Sequence, residues 1–225
     1  MKTGFFAVAF AILRKDLIAE VRSREIIGVM GLYALLAVII FSFALELDRI
    51  ARQEAIAGVL WVTVTFASIL GLNRSMNSER EQGNIDAMLL APIDRAAIFL
   101  GKFLGNFLLV LVVGLVLLPL MTILYNINMI SLWMVGILVL GTFGICSTGT
   151  LLSAMTVQTR ARDALLPIAL LPVVLPVLMA AVKASTAILA DAPLEDWQSW
   201  PQILLVINVI YFVLCYFVFE YAIEE

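Results

Sequence analysis

Apolar residues in this chain come in long unbroken runs rather than in the alternation of a half-buried strand or the single stripe of a soluble helix. Ile26 to Leu45 and Ala55 to Leu72 are runs free of Asp, Glu, Lys and Arg, each bounded by charge. Phe103 to Thr159 is a third such run, broken only by the polar Tyr125-Asn126-Ile127-Asn128, and it is too long for one membrane crossing. Ala164 to Val182 and the segment from Ile203, after Pro201, to Phe219 complete the set. A helix needs roughly 20 apolar residues to cross about 30 Å of hydrocarbon. The pattern therefore predicts an all-α integral membrane protein, one domain over 1–225, with spans at 26–45, 55–72, 103–125, 131–156, 164–182 and 203–219. Ahead of them, Phe6, Phe10, Leu13, Leu17 and Val21 recur at helical spacing while Arg14, Lys15, Glu20 and Arg22 lie largely off that stripe. This predicts an amphipathic helix over 4–24 lying in the membrane interface. The alternative, a signal peptide over Met1 to Leu13, is disfavoured because the apolar stretch runs into Arg14-Lys15-Asp16 without a cleavage site.

Composition agrees and narrows the classes. The chain is 63% apolar and 14% charged, against about 25% charged in an ordinary soluble domain, which excludes a soluble globular fold. A net charge of −3 offers no basic excess for nucleic acid. Of the fourteen basic residues, eleven fall in the N-terminal segment and the connections after spans two and four, and three (Arg49, Arg52, Lys183) fall on the other side. The positive-inside rule then places both termini in the cytoplasm. Trp61, Trp133, Trp197 and Trp200 all fall toward the outer side, where aromatic rings favour the headgroup zone. Cys146 and Cys215 lie deep in uncharged runs and read as small buried apolar residues.

None of the spans carries an ionisable residue, and the chain has no histidine. Ion-coupled carriers usually need charge within the bilayer, and intramembrane hydrolases need a carboxylate, histidine or activated nucleophile. The sequence therefore predicts no catalytic residue and no metal site. Gly101-Lys102 is the one Gly-Lys pair, and Ala96 stands where a phosphate-cradling loop needs its first glycine. ATP, if used, is bound by another polypeptide. Gly101 with Gly105, and Gly136, Gly141, Gly144 and Gly149, read as close helix packing. Asn106 and Asn208 read as interhelical hydrogen-bonding amides. Pro119 is expected to kink span three, and Pro167, Pro172 and Pro176 to bend span five and make it a candidate moving element.

Charge and order concentrate in the connection 73–102. Ser78 followed by Glu81 has the spacing of a capping box and predicts a helix start. Gly83 permits a sharp turn, a short helix can run from Asn84 to the residue before Pro92 with Ile85, Met88 and Leu89 on one face, and Asp94 marks a second helix start. The order Glu79, Glu81, Gly83, Asp86, Pro92 resembles the coupling signature of ABC exporter permeases. The blocks Gly71-Leu72-Asn73-Arg74-Ser75, Glu79-Arg80-Glu81-Gln82-Gly83, Leu89-Leu90-Ala91-Pro92-Ile93-Asp94-Arg95 and Phe99-Leu100-Gly101-Lys102, with Glu20 to Glu25 before span one, narrow the resemblance to the CcmB family of cytochrome c maturation.

That resemblance implies an ABC exporter permease-like subunit in a bacterial inner membrane. It implies a CcmA-type ATPase on the cytoplasmic side, CcmC- and CcmD-type membrane proteins, and a CcmE-type haem chaperone. Glu79, Arg80, Glu81, Gly83, Asp86, Met88, Leu89, Pro92 and Arg95 would then form the ATPase-coupling interface. ATP would be bound by the partner, and haem would be transient cargo rather than a resident cofactor. The absence of histidine leans toward transmission of ATP-driven motion that releases the loaded chaperone. A permease for a lipid, polysaccharide or drug shares the coupling signature and is the alternative.

Overall fold

Charge ends a membrane span, but it does not end a helix. In a computed structural model, which describes residues 4–45, 49–84, 93–157, 159 and 162–222, the helices outrun the charge-free runs. They are α1 (Phe5–Ser23), α2 (Glu25–Ala44), α3 (Arg49–Glu81), α4 (Arg95–Tyr125), α5 (Leu132–Thr156), α6 (Arg162–Leu189), the single turn α7 (Leu194–Trp197) and α8 (Ser199–Ala222). The described residues contain no strand, and six of the helices are long and apolar enough to cross a membrane. The all-α, six-span architecture is as the sequence predicts.

The differences lie at the ends. α3 continues through residues 73–81, so Ser78 and Glu81 sit in its last turns rather than at a helix start. The Ser78 hydroxyl accepts from the Gln82 side chain at 3.1 Å instead of capping a free N–H. α4 starts at Arg95, with the Asp94 carboxylate accepting from the Ala96 N–H at 2.9 Å, the cap that Asp94 predicts. The connection of 73–102 thus shrinks to 82–94. α6 stays helical to Leu189, through Pro167, Pro172 and Pro176, and α8 begins four residues before Ile203 with Pro201 in its first turn, where no N–H is missed. The short helix expected after Asn84 lies outside the described residues.

α3 and α5 form the interior, with α4 and α6 beside them, and α2 and α8 are peripheral: 72% of the α3 span is buried but only 17% of α2. α5 packs on α3, α4, α6 and α8, and its glycines make that possible. A Cβ on Gly141 would stand 2.1 Å from the Trp61 ring, one on Gly144 2.4 Å from Asn208 Oδ1, and one on Gly149 2.4 Å from Leu72. Trp61 is therefore an interior residue, 1% exposed, with its indole N–H donating to Ser185 Oγ at 3.0 Å. This corrects its expected place in an interfacial belt: the ring is used to lock α3 onto α5 and α6. Asn106 donates to Thr150 Oγ1 at 3.2 Å and Asn208 to the Leu140 carbonyl at 2.7 Å, both between helices as expected.

α1, the end of α3, the starts of α4 and α6 and the end of α8 lie at one end of the bundle. The connections 126–131 and 190–193 lie at the other end.

Gly141→Ala is expected to lower stability by about 1–3 kcal/mol through overpacking against the Trp61 ring, and Trp61→Phe in the same chain should recover part of the loss. Thermal unfolding of the detergent-solubilised variants measures both.

Candidate functional site: an ion cluster at the base of the α3–α4 connection

α1 has two unlike faces. Its apolar stripe points away from the bundle, with Phe6 77%, Phe10 65% and Val21 74% exposed, whereas Ala9, Ile12 and Glu20 are buried. The docking face is thus the small and polar one. It fits because α4 presents Gly101: a Cβ there would stand 2.8 Å from the Ala9 carbonyl oxygen. An outward apolar stripe agrees with the interfacial helix predicted over 4–24.

This close approach brings four charged side chains together. Lys102 of α4 is 3% exposed, and its ammonium donates to Glu79 Oε1 of α3 at 2.5 Å and lies 2.8 Å from Asp16 Oδ2 of α1. Lys15 closes the group from the solvent side, 2.5 Å from Glu79 Oε1 and 3.3 Å from Asp16 Oδ1. Burial pushes the Glu79 carboxyl up, but the Lys102 and Lys15 ammoniums beside it prevail and hold it down at about 2. Glu79 lies beyond the charge-free span 55–72, where polar groups are tolerable. Its second oxygen, Oε2, is buried without a hydrogen-bond partner among the described residues.

Further contacts fix the surroundings. Arg24 takes a left-handed conformation (φ 54°) that breaks α1 from α2, and Glu20 turns back to accept from the Ile26 and Ile27 N–H groups at 3.2 and 2.8 Å, satisfying the start of α2. Glu25 pairs with Arg74 of α3.

The residues expected to couple to an ATPase divide into four groups. Glu79 is a buried anchor rather than a free contact. Arg80 donates to the Val157 carbonyl at 2.5 Å, tying the end of α3 to the end of α5, and Arg95 donates to the Glu220 carbonyl at 3.3 Å, tying the start of α4 to the end of α8. Glu81 and Gly83 are exposed where the chain leaves α3, Gly83 with φ +67° and open space where a Cβ would stand. Asp86, Met88, Leu89 and Pro92 lie outside the described residues. Sequence reasoning missed the roles of Lys15, Asp16 and Lys102. The signal was present: Ala9, Ile12, Asp16 and Glu20 recur at helical spacing in a row beside the apolar stripe, and Lys102 follows a glycine inside an otherwise apolar stretch.

A six-span helical bundle without charge in its spans, with its buried ions gathered under one connection, defines a multi-pass membrane protein of the permease type. Comparison with known proteins gives the family. The CcmB protein family model matches residues 7–225, so the chain belongs to the CcmB family. Relatives named "Heme exporter protein B" include those of Bradyrhizobium diazoefficiens (27% identical, covering 80% of this chain and 81% of the relative), Rhodobacter capsulatus (27%, 75% and 78%) and Pseudomonas aeruginosa (25%, 80% and 80%).

Lys102→Met leaves the buried Glu79 carboxylate and the partly buried Asp16 carboxylate with only the half-exposed Lys15, and a loss of about 3–5 kcal/mol is expected. Adding Asp16→Asn should restore part of it, a coupling that a double-mutant cycle reads directly. Because the folded Glu79 value lies below its ordinary 4.5, its contribution is full above pH 4.5 and is lost as pH falls through about 2. The acid limb of a stability profile should therefore flatten in Glu79→Gln.

Proposed function

We propose that this protein is the membrane subunit of an ATP-driven haem exporter of cytochrome c maturation, and that it transmits motion from a separate ATPase through residues 79–95. Membership of the CcmB family and relatives named for haem export support the transport role. The observation that carries the coupling role is the cluster itself. α3, α4 and α1 are pinned together by Lys102, Glu79 and Asp16 directly at the base of the 82–94 connection. A push on that connection is thereby delivered to three helices at once instead of being absorbed by loose helix ends.

In this reading the α1 end faces the cytoplasm of a bacterial inner-membrane protein, in keeping with the eleven basic residues of that side. A CcmA-type ATPase seats on Glu81, Gly83, Asp86, Met88, Leu89 and Pro92, while Glu79, Arg80 and Arg95 hold the scaffold beneath. CcmC- and CcmD-type membrane proteins and a CcmE-type chaperone complete the assembly. The protein is a transporter component rather than an enzyme, and haem is cargo. The mechanical output is release of the loaded chaperone on the opposite face.

Gly83→Val tests the coupling without filling any cavity, since its effect is confined to a backbone conformation that costs an L-residue about 1–2 kcal/mol. Combined with Glu81→Gln in the reconstituted complex, it is expected to leave ATPase binding detectable but to cut chaperone release per ATP hydrolysed about tenfold. Unchanged release per ATP overturns the reading.

A further inference from the structure

The end of the bundle away from α1 holds a cavity of about 930 Å³, within the range of ligand sites. Its walls come from two connections, 126–131 and 190–194, with Tyr125, Trp133 and Trp197 among the lining residues. Trp197 is 4% exposed and its indole N–H donates to the Ala192 carbonyl at 3.2 Å, so its ring is fixed. Trp133 stands edge to face against it, centroids 5.3 Å apart at 84°, and is 55% exposed. The result is one braced indole held open to the cavity.

The charged side chain among the described lining residues is acidic. Asp191 lines it, Glu195 and Asp196 follow in α7, and no Lys or Arg is among the described lining residues. Lys183 is exposed on α6 but stands outside the lining. The C-termini of α4 and α6 both end here, at Asn126 and near Asp191, each bringing the negative end of a long helix dipole. The α5 N-terminus opposes them with one positive end, whose first turn Ser131 already caps by accepting from the Met134 N–H at 3.1 Å. An open indole face beside a carboxylate and two helix C-termini suits a cation.

We propose that this cavity is a docking site for an arginine or lysine side chain of a polypeptide partner on the side of the membrane opposite α1. A peptide side chain fits better than a free small cation for two reasons. The volume is several times that of a guanidinium group, and the apolar surface continues past the charge: Leu194 lines the cavity at 45% exposure, while Ile130 and Leu132, next in sequence to lining residues, are 58% and 87% exposed. A basic segment would seat its charge over Trp133 and its stem and neighbours on these side chains. The site depends on neither the ATPase nor the haem reading.

The test uses the full chain in nanodiscs of zwitterionic lipid, with a fluorescent tetra-arginine peptide as probe. Asp191→Asn is the first variant, because asparagine keeps the left-handed backbone of this position (φ 52°) at no added cost; Trp133→Leu is the second. Each is expected to weaken peptide binding about tenfold with an unchanged melting temperature, wild-type binding should fall with added salt, and arginine amide should bind at least tenfold more weakly than the peptide. Equal affinity of wild type and Asp191→Asn, equal binding of a tetra-glutamate peptide, or arginine amide binding as tightly as the peptide each overturns the proposal.

Discussion

Lys102 is the residue that the α1 end of the molecule is built around. An ammonium 3% exposed must be given compensating charge, because desolvating it costs several kcal/mol even after relaxation. Two carboxylates from two other helices supply that charge. Asp16 reaches it only because Gly101 lets α1 lie close on α4, and Glu79 reaches it only because α3 continues past its apolar span. The requirement of one buried cation therefore fixes the position of α1, the length of α3 and the base of the α3–α4 connection together. It also fixes the roll of α1, which leaves the apolar stripe facing outward.

Deeper in the bundle the organising principle changes from charge to volume. α5 approaches α3 through Gly141 and Gly149 and α6 and α8 through Gly144, with Trp61, Leu72, Val177 and Asn208 filling the space a Cβ would need. Hydroxyls of Thr142, Ser147, Thr148 and Ser153 bond back to their own helix, so these four polar groups need no partner from a neighbouring helix. In the proposed coupling role, work arrives in this interior as displacement of helices, and α1, α3 and α4 are the helices that Lys102 ties together.

The fold was legible because lipid imposes one rule: a span must lack charge for about 20 residues, and five charge-free runs, one of them long enough for two crossings, obey it. Helix ends were not legible by that rule. Residues 73–81 are charged and still helical, since outside the hydrocarbon a helix is limited by caps and turn residues, and Gly83 rather than Asn73 ends α3. The same error made Ser78 and Glu81 look like a beginning. Asp94 was read correctly because a cap depends on its next two residues alone. The burial of Trp61 and the pairing of Lys102 went unread for one shared reason. Each was assigned by residue type to a membrane zone, whereas the contact it makes depends on a residue of another helix at least eighty positions away, Gly141 for one and Asp16 for the other.

The two ends of the bundle handle charge in opposite ways, and the difference has mechanical meaning. At the α1 end each buried charge has a partner on another helix, so the charges act as rivets: separating α1, α3 and α4 means exposing a buried carboxylate or ammonium without its counterion. At the other end Asp191, Glu195 and Asp196 face outward beside a braced indole pair, and the described residues lining the cavity include no cation to neutralise them. Charge of one sign around a cavity costs little while water fills it and gains when a counter-charge replaces that water. The bundle is thus riveted across α1, α3 and α4 at one end and carries acidic charge without a lining cation among the described residues at the other. That asymmetry is what a subunit needs if force enters on one face and a partner is gripped or released on the other.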